Sequence, residues 1–532
     1  MDIDTLSVIN DPTLRAWYFE ERNCLALSNG EVVTSTYSAV HLQKIVLYIQ
    51  ETELLNGGLF FGKRLPVKLV TQGQIESLFN DESSLNNHIE LKDEKLSEIG
   101  EFFKRLQQKA VMLESSDIHI ELYEHEVKFY VRVDGRRLVL SETIPDHAYG
   151  EALFSYIFTS KAISKDHDYV EKLPNSGKLE QLLLLTNKDE NGEEIMEPRL
   201  TSWRADYIPA KGGGKITLRW LNAQQSIPPL DTLGWTDGHV DIIMDFLKTP
   251  SGVCIFSGKT GSGKSTSIAS TLDLIDEESA VHTLEDPDEF NLGIPQTVVT
   301  SDKNSDTKSG FATYSKVLLR HDVDVELHGE VRDHAGAMEV TRKGETGQLV
   351  FTSLHTSSAI GIAHTLTEQL KVPPSVVSAP ALMKVWAYQT LVRKLCPHCK
   401  LTDSKSLGAY DTNELGDDYH RARIALDSFL KPEFREHVFW RNPNGCKHCN
   451  KGEKGRTALI EMIILDDEDR DFILRKDYLN WQVALKNKGF KTVRDHAINK
   501  IQLGEIDVLT AAKKVNQLIP QSSSDVYATL KL

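Results

Sequence analysis

The run from Val253 to Thr266, VCIFSGKTGSGKST, combines residue types and a spacing that can bind a nucleoside triphosphate. Its apolar first half predicts a strand, which continues directly into the phosphate-binding pattern GxxxxGK[ST]. Gly258, Gly261 and Gly263 permit backbone conformations that let successive N–H groups converge on phosphate oxygens. The sequence therefore predicts a phosphate loop, since a chance match to this pattern is rare at ordinary residue frequencies.

The two residues that follow Gly263 supply a cation and a metal ligand. Lys264 places a cation at the β- and γ-phosphates, and Ser265 offers its hydroxyl to Mg²⁺. The helix expected to begin here directs its positive end toward the anion. We predict ATP and Mg²⁺ as ligands, and the predicted ATP-binding residues are Ser257, Gly258, Lys259, Thr260, Gly261, Ser262, Gly263, Lys264, Ser265 and Thr266.

Polar side chains also stand where three later strand-like runs end. Glu285 and Asp286 follow the run HTL, Glu330 follows DVDVELHG, and His355 follows QLVFTSL. Carboxylates at strand ends beside a phosphate site can orient or deprotonate an attacking water, or hold Mg²⁺ through water. A single histidine is more often a structural residue, but three polar strand ends after one phosphate loop favour a shared site.

Two cysteine pairs, CPHC at 396–399 and CKHC at 446–449, are separated by 46 residues. Each pair can present two thiolates on one side of a tight turn, so that together they close a tetrahedral site. A redox pair or unpaired buried thiols is the competing interpretation, and His398 and His448 are alternative ligands. The doubled motif favours structural Zn²⁺ with no open position for catalysis. The predicted zinc ligands are Cys396, Cys399, Cys446 and Cys449.

Three arginines stand beside strand-like runs in the region before the phosphate loop. Arg132 precedes VDG, and Arg204 and Arg219 flank a predicted hairpin that contains three glycines at 212–214. Taken alone, these residues are explained as solvated strand residues, which is the commonest role of an exposed arginine.

Composition restricts the class of protein. The 532 residues exceed what one core accommodates, so several domains are expected. A net charge of −16 argues against a general nucleic-acid binder, although a local basic patch stays possible. No apolar run has the length of a membrane span, and the first thirty residues lack a basic start and an apolar core, which predicts a cytoplasmic protein.

The elements that must position these residues change in character along the chain. Residues 1–95 carry no chemical motif and predict a small accessory domain. Residues 96–225 mix a helix, alternating strands and a hairpin, which is typical of an α+β domain. Residues 226–235 begin with SIPPL, a stiff linker, and residues 236–532 alternate strands and helices as a parallel α/β sheet does.

The order of the motifs in this chain resembles their order in the ATPases that power type II secretion and type IV pilus assembly. From about Ser115 to Gly504, SDIHIE resembles the second-domain signature, GKTGSGKST the Walker A motif, LEDPDEF the aspartate box, GEVRD the Walker B motif and LVFTSLHT the histidine box. The resemblance implies an α/β fold in which a RecA-like P-loop ATPase domain follows a PAS-like α+β domain and a small N-terminal accessory domain. It also implies a zinc module at about 390–460, of the kind found in assembly motors, and a helical C-terminal tail.

The resemblance also implies roles for single residues. Glu285 would be the general base on water, Glu330 the carboxylate linked to Mg²⁺, and His355 a sensor of the γ-phosphate. RADYIP resembles the family's RVSTLP element, which makes Arg204 and Arg219 stabilisers of transition-state charge. The sequence departs from the family where Gln348 replaces the first histidine of its box, Val323 replaces a proline, and Glu326 and His328 interrupt an apolar strand.

The function implied by this resemblance is that of a hexameric ATPase motor. It would drive pilin polymerisation or type II-like secretion through an inner-membrane platform protein, with residues 1–95 as the docking domain. The divergent boxes favour the type IVb pilus branch, such as bundle-forming or plasmid-encoded thin pili. Two alternatives stay open, which are a DNA-translocating motor for conjugation or uptake and a scaffold that binds ATP without hydrolysing it.

Overall fold

The computed structural model describes residues 8–9, 11, 14, 17–18, 23–52, 60–75, 94–188, 194–221, 227–286, 288–299, 310–411, 413–519 and 522–530. The chain forms two compact units, Met1–Glu101 and Phe102–Leu532. Within the described residues, no helix is both long enough and apolar enough to span a membrane. Position 226 of the predicted linker 226–235 lies outside the described residues.

The first unit contains a small sheet of three strands, β1 Cys24–Ala26, β2 Val32–Thr34 and β3 Val67–Leu69. The first two strands are antiparallel, and the second and third are parallel. Helix α1, Leu42–Glu51, buries Ile45 and Ile49 in the same core as the strands. Because these two residues are four positions apart, they lie on one face of the helix.

An antiparallel sheet of seven strands, in the order β6-β5-β4-β10-β9-β8-β7, forms the first part of the second unit. Alternate residues of β5 are buried, as expected for a sheet with one face in the core. The predicted hairpin is present as β9–β10. Helix α2, Glu94–Met112, crosses the boundary between the two units along the chain. The other elements of this part are β4 Asp117–Leu122, β5 Val127–Val133, β6 Arg136–Ile144, α3 His147–Ser155, β7 Ser164–Lys165, β8 Asn175–Lys188, β9 Glu194–Ala210 and β10 Gly213–Trp220.

A second sheet of seven strands, in the order β13-β12-β14-β15-β11-β16-β19, follows, and all its neighbours are parallel except β16 and β19. β17 and β18 form a separate antiparallel pair. The strands are β11 Gly252–Ser257, β12 Val281–Glu285, β13 Gln296–Val298, β14 Val325–His328, β15 Leu349–Leu354, β16 Met383–Leu395, β17 Leu401–Thr402, β18 Phe439–Trp440 and β19 Glu453–Ile464.

Helices cover both faces of this sheet. Val253 and Ile255 of β11 pack in one apolar core, whereas Cys254 and Phe256 pack in another, which is the pattern of a parallel sheet buried on both faces. The helices are α4 Asp237–Leu247, α5 Lys264–Leu272, α6 Gly310–Leu318, α7 His334–Glu345, α8 Gly361–His364, α9 Pro374–Val377, α10 Asp403–Tyr410, α11 Gly416–Phe429, α12 Asp467–Arg475, α13 Tyr478–Asn487, α14 Val493–Gln502, α15 Val508–Ala512 and α16 Ser523–Thr529.

Strand β14 carries charge inside the core. Glu326 is fully buried and forms an ion pair with Lys343 of α7, which is also fully buried. The hydroxyl of Ser315 is 3.3 Å from the same carboxylate. Burial lowers the pKa of His328 to about 4, so this imidazole is neutral. The carboxylate of Glu326 is thus paired with a buried cation, and His328 is buried as a neutral ring.

Candidate nucleotide site

The predicted phosphate loop joins the carboxyl end of β11 to the start of α5. Gly258, Gly261 and Gly263 adopt φ values of +150°, +74° and +85°. Residues with a Cβ rarely adopt these values, so the three glycines are required by the backbone. Gly263 is the N-cap of α5, which begins at Lys264. The N–H groups of the first helical turn therefore lack helical partners and are available to an anion.

Lys264 lies against the loop that it is predicted to serve. Its ammonium nitrogen is 3.1 Å from the carbonyl oxygen of Gly258, and the residue is 9% exposed. Burial lowers the pKa of Lys264, while the charges of Glu330 and Glu289 act in the opposite direction. A phosphate at the loop would supply a further negative charge to this buried cation.

His355 connects the phosphate loop with the strand-end carboxylate Glu330. Its Nδ1 is 3.0 Å from the carbonyl oxygen of Gly258, and its Nε2 is 3.0 Å from a carboxylate oxygen of Glu330. Both of these neighbouring oxygens are hydrogen-bond acceptors. Because the strands β11, β14 and β15 are adjacent and parallel, their carboxyl ends bring these residues to one edge of the sheet.

A further ion pair extends this line of residues. Arg332 donates to Glu330 at 2.9 Å and to Asp286 at 2.9 Å. The three strand ends are thus linked in the order His355, Glu330, Arg332 and Asp286. The oxygen donors of Glu330 and Ser265 fit a hard cation such as Mg²⁺. Asp286 is one of the predicted strand-end carboxylates, whereas Arg332 had no predicted role, although its position in GEVRD signalled it.

Glu285 has a different environment from its neighbour Asp286. One carboxylate oxygen accepts hydrogen bonds from the hydroxyl of Thr283 at 2.6 Å and from the amide of Gln296 at 2.9 Å. Burial raises the pKa of Glu285, and these two hydrogen bonds oppose that shift. The structure therefore places Glu285 at the same sheet edge, outside the chain of ion pairs.

Gln348 lies away from this edge. It directly precedes β15, whereas His355 directly follows it, so the two residues are at opposite ends of one strand. The side-chain amide of Gln348 donates to the carbonyl of Val323 at 2.7 Å. The position at which the family has a histidine therefore lies at the amino end of the strand, away from the nucleotide edge.

Arg204 and Arg219 are directly opposite each other on β9 and β10. Arg204 is 3.2 Å from a carboxylate oxygen of Asp206, and Arg219 is 3.1 Å from one of Asp117. Both arginine side chains are about half exposed. Among the described residues, no hydrogen bond or ion pair joins either arginine to the phosphate loop. Arg132 lies 4.0 Å from Asp117 of the same sheet.

The two cysteine pairs come together as predicted from their spacing. All four Sγ atoms lie within 4.8 Å of one another, and none forms a disulfide. The Sγ–Sγ distance is 3.8 Å between Cys396 and Cys446 and 3.6 Å between Cys399 and Cys449. A tetrahedral site with metal–sulfur bonds of about 2.3 Å has sulfur–sulfur distances of about 3.8 Å, so the donor set fits Zn²⁺. The rings of His398 and His448 contact each other, with their centroids 4.4 Å apart and their planes tilted by 31°.

The parallel sheet, the phosphate loop and the polar strand ends define a P-loop nucleotide-binding protein. The sequence profile of the family described as type II/IV secretion system protein matches residues 92–517, which is most of the chain. The chain belongs to this family, and it is an ATPase of the P-loop class. The resemblance to the type II secretion and type IV pilus ATPases is therefore confirmed as membership of this family.

Individual relatives agree with this assignment. The type II secretion system protein E of Klebsiella pneumoniae is 32% identical over 372 residues, which cover 69% of this chain and 66% of that protein. The type IV pilus assembly ATPase PilB of Acinetobacter baylyi is 27% identical over 436 residues, covering 80% and 67%. The solved structure of the ATPase DotB from Legionella pneumophila is similar in fold, with a TM-score of 0.51, 19% identity, and coverage of 77% of this chain and 94% of that one.

Proposed function

We propose that this chain is a hexameric motor that hydrolyses ATP to drive type IV pilus assembly or type II-like secretion. The observation that supports this proposal is the convergence of Lys264, His355, Glu330 and Glu285 at one edge of the sheet, beside a phosphate loop. The names of the similar secretion and pilus-assembly proteins support the cellular process.

The proposed roles follow from where each side chain lies. Lys264 and the N–H groups of the loop bind the phosphates. Ser265, directly, and Glu330, through water, would hold Mg²⁺, which would neutralise phosphate charge. Glu285 orients and deprotonates the attacking water, since its raised pKa brings it nearer to the pH at which a general base works well. His355 reports the state of the γ-phosphate, because it touches both the loop and Glu330.

Arg204 and Arg219 complete the proposed site when the antiparallel-sheet domain moves. In this structure their guanidinium groups pair with Asp206 and Asp117, and both are partly exposed. Partly exposed ion pairs contribute little stability, so the arginines can exchange these partners for phosphate oxygens. We also propose that this domain, residues 96–225, is PAS-like and that the fold of residues 236–532 is RecA-like.

The partners that we propose are further copies of the chain and an inner-membrane platform protein, to which the protein attaches from the cytoplasmic side. Residues 1–95 would be the docking domain for that partner. The type IVb pilus branch is the proposed system, on the basis of the divergent boxes around Val323, Glu326 and Gln348.

Steady-state hydrolysis of saturating Mg·ATP by the full chain tests this function. We expect turnover by the unmodified protein and loss of tight nucleotide binding in Lys264→Ala, which removes the cation that faces the phosphates. Lys248→Ala, an exposed lysine paired with Asp245 on the surface, is the matched control. Undiminished turnover in Lys264→Ala would contradict the phosphate-loop assignment, and ATP binding without turnover in the unmodified protein would favour the scaffold.

A further inference from the structure

The side chain of Gln389 bridges the phosphate loop and the helix that follows it. Gln389 belongs to β16, which pairs with β11, and it is 2% exposed. Its amide nitrogen donates to the carbonyl oxygen of Ser262 at 2.8 Å, and its amide oxygen accepts from the hydroxyl of Ser267 at 2.8 Å. Ser262 lies within the loop and Ser267 within the first turn of α5. A carbonyl only accepts and the amide nitrogen only donates, which fixes the orientation of the amide.

The same residue also limits the space available to the loop. A Cβ on Gly258 would lie 2.3 Å from the carbonyl oxygen of Gln389, and a Cβ on Gly263 would lie 2.9 Å from its amide nitrogen. Both glycines have positive φ. The loop therefore touches Gln389 at its first glycine, at its last glycine and at Ser262. One buried residue thus faces most of the backbone that has to converge on the phosphates.

We propose that Gln389 is a positioning residue that holds the phosphate loop in its nucleotide-binding conformation before the nucleotide arrives. The inference rests on the proposed binding of ATP at this loop. A loop whose N–H groups already converge loses less conformational freedom on binding, so its affinity for phosphate is higher. Gln389 acts through Ser262 and Ser267, and the two hydrogen bonds of its amide are buried, where an unmade bond is costly.

Equilibrium binding of Mg·ADP and the kinetics of Mg·ATP hydrolysis test the inference in the full chain. Gln389→Ala is expected to weaken ADP binding by about tenfold and to raise KM for ATP by a similar factor, with a smaller effect on kcat. Thr390→Val is the matched control, because Thr390 is the next residue of the same strand and its side chain lies on the opposite face. The control is expected to bind ADP as the unmodified protein does.

Gln389→Glu provides a pH-dependent ADP affinity, which a general loss of packing would not produce. A carboxylate can accept from Ser267 but cannot donate to the carbonyl of Ser262, whereas a protonated carboxyl group can do both. A buried glutamate also has a raised pKa. The ADP affinity of Gln389→Glu, relative to the unmodified protein, should therefore recover as the pH falls from about 8 to about 6. The relative affinity of Gln389→Ala should stay low over the same range.

The following outcomes would decide between the possible explanations. Unchanged ADP affinity in a folded Gln389→Ala protein, or a Gln389→Glu protein whose relative affinity ignores pH, would overturn the positioning role. If Lys264→Ala loses ADP binding while Gln389→Ala retains it, only the positioning role of Gln389 is refuted. If Lys264→Ala retains ADP binding, the nucleotide site itself is refuted. Should Gln389→Ala fail to fold, Ser267→Ala is the alternative variant, because it removes one of the two hydrogen bonds. We expect it to weaken ADP binding by about threefold. Unchanged ADP binding in Ser267→Ala would overturn the proposal.

Discussion

At the scale of single residues, Glu285 and Asp286 are adjacent in the chain but serve different partners. Glu285 accepts hydrogen bonds from Thr283 and Gln296, whereas Asp286 pairs with Arg332. A carboxylate held by neutral donors keeps more of its basicity than one neutralised by a guanidinium. This difference supports Glu285 as the proposed base and assigns Asp286 to the ion-pair line that ends at His355.

Glu285→Gln is expected to lower kcat by at least about a hundredfold while Mg·ADP affinity stays within about threefold, because the amide keeps the shape but cannot accept a proton. Glu278→Gln, at an exposed turn residue, is the control. Since burial raises the pKa of Glu285, kcat of the unmodified enzyme should fall on the acidic side at a pH above the ordinary range of a glutamate. Equal turnover in Glu285→Gln and in the control would remove Glu285 from the mechanism.

At the scale of elements, the strands, the loop and the clustering of the four cysteines were largely predictable from the sequence, and the contacts between strands were not. β11, the glycines after it and the two cysteine pairs are local patterns, so the sequence indicates them directly. Gln389 is 127 residues from its partner Ser262, and Lys343 is 17 residues from Glu326. No local period predicts these pairs, because the order of parallel strands differs from the order in the chain. Glu326 breaks the apolar pattern of its strand, and its pairing with the distant Lys343 accounts for it.

Glu326 of β14 and Lys343 of α7 are expected to stabilise the strand that precedes Glu330 only when both charges are present. Lys343→Met leaves the Glu326 carboxylate buried without its cation and should lower the free energy of unfolding by about 3–5 kcal/mol. The double variant Glu326→Leu with Lys343→Met should recover most of that loss, since both charges are then absent. Denaturant unfolding measures the cycle. A double variant that is less stable than Lys343→Met would contradict this account.

The four thiolates are expected to hold about one Zn²⁺ per chain, measured by elemental analysis of the purified protein. Because a closed thiolate site contributes to folding, Cys446→Ser should lower the thermal midpoint before it alters Mg·ADP affinity. Cys254→Ser, which changes a buried cysteine outside the cluster, should leave the zinc content unchanged. Metal-free protein with the same thermal midpoint as the zinc-loaded protein would rule out a structural role.

At the scale of the whole molecule, the second unit contains a contact between its two sheets. Arg136 of β6 donates to the carbonyl of Asn450 at 2.6 Å and pairs with buried Glu453 of β19, and the N–H of Gly455 donates to Asp134 at 2.8 Å. The antiparallel sheet is thereby attached beside Cys449, the last residue of the four-cysteine cluster. Its arginines Arg204 and Arg219 pair within their own sheet, so their proposed role requires a movement that the sequence motifs could not reveal.

Arg204→Ala and Arg219→Ala should each lower kcat by on the order of a hundredfold or more, with a smaller loss of ATP affinity. Lysine at either position should not restore activity, because its point charge lacks the planar fork of arginine. Lys178→Ala, on the neighbouring strand β8, is the control. Full activity in both alanine variants would return the two arginines to the role of solvated strand residues.

We propose that ATP hydrolysis at this phosphate loop is coupled around a ring of identical subunits. The most direct measurement is the rate of phosphate release by rings assembled from mixtures of unmodified and Lys264→Ala chains. We predict that the rate falls more steeply than the fraction of unmodified chains, because an inactive neighbour also slows the active subunits. A rate strictly proportional to that fraction, from mixtures shown to contain both chains in one particle, would contradict the motor.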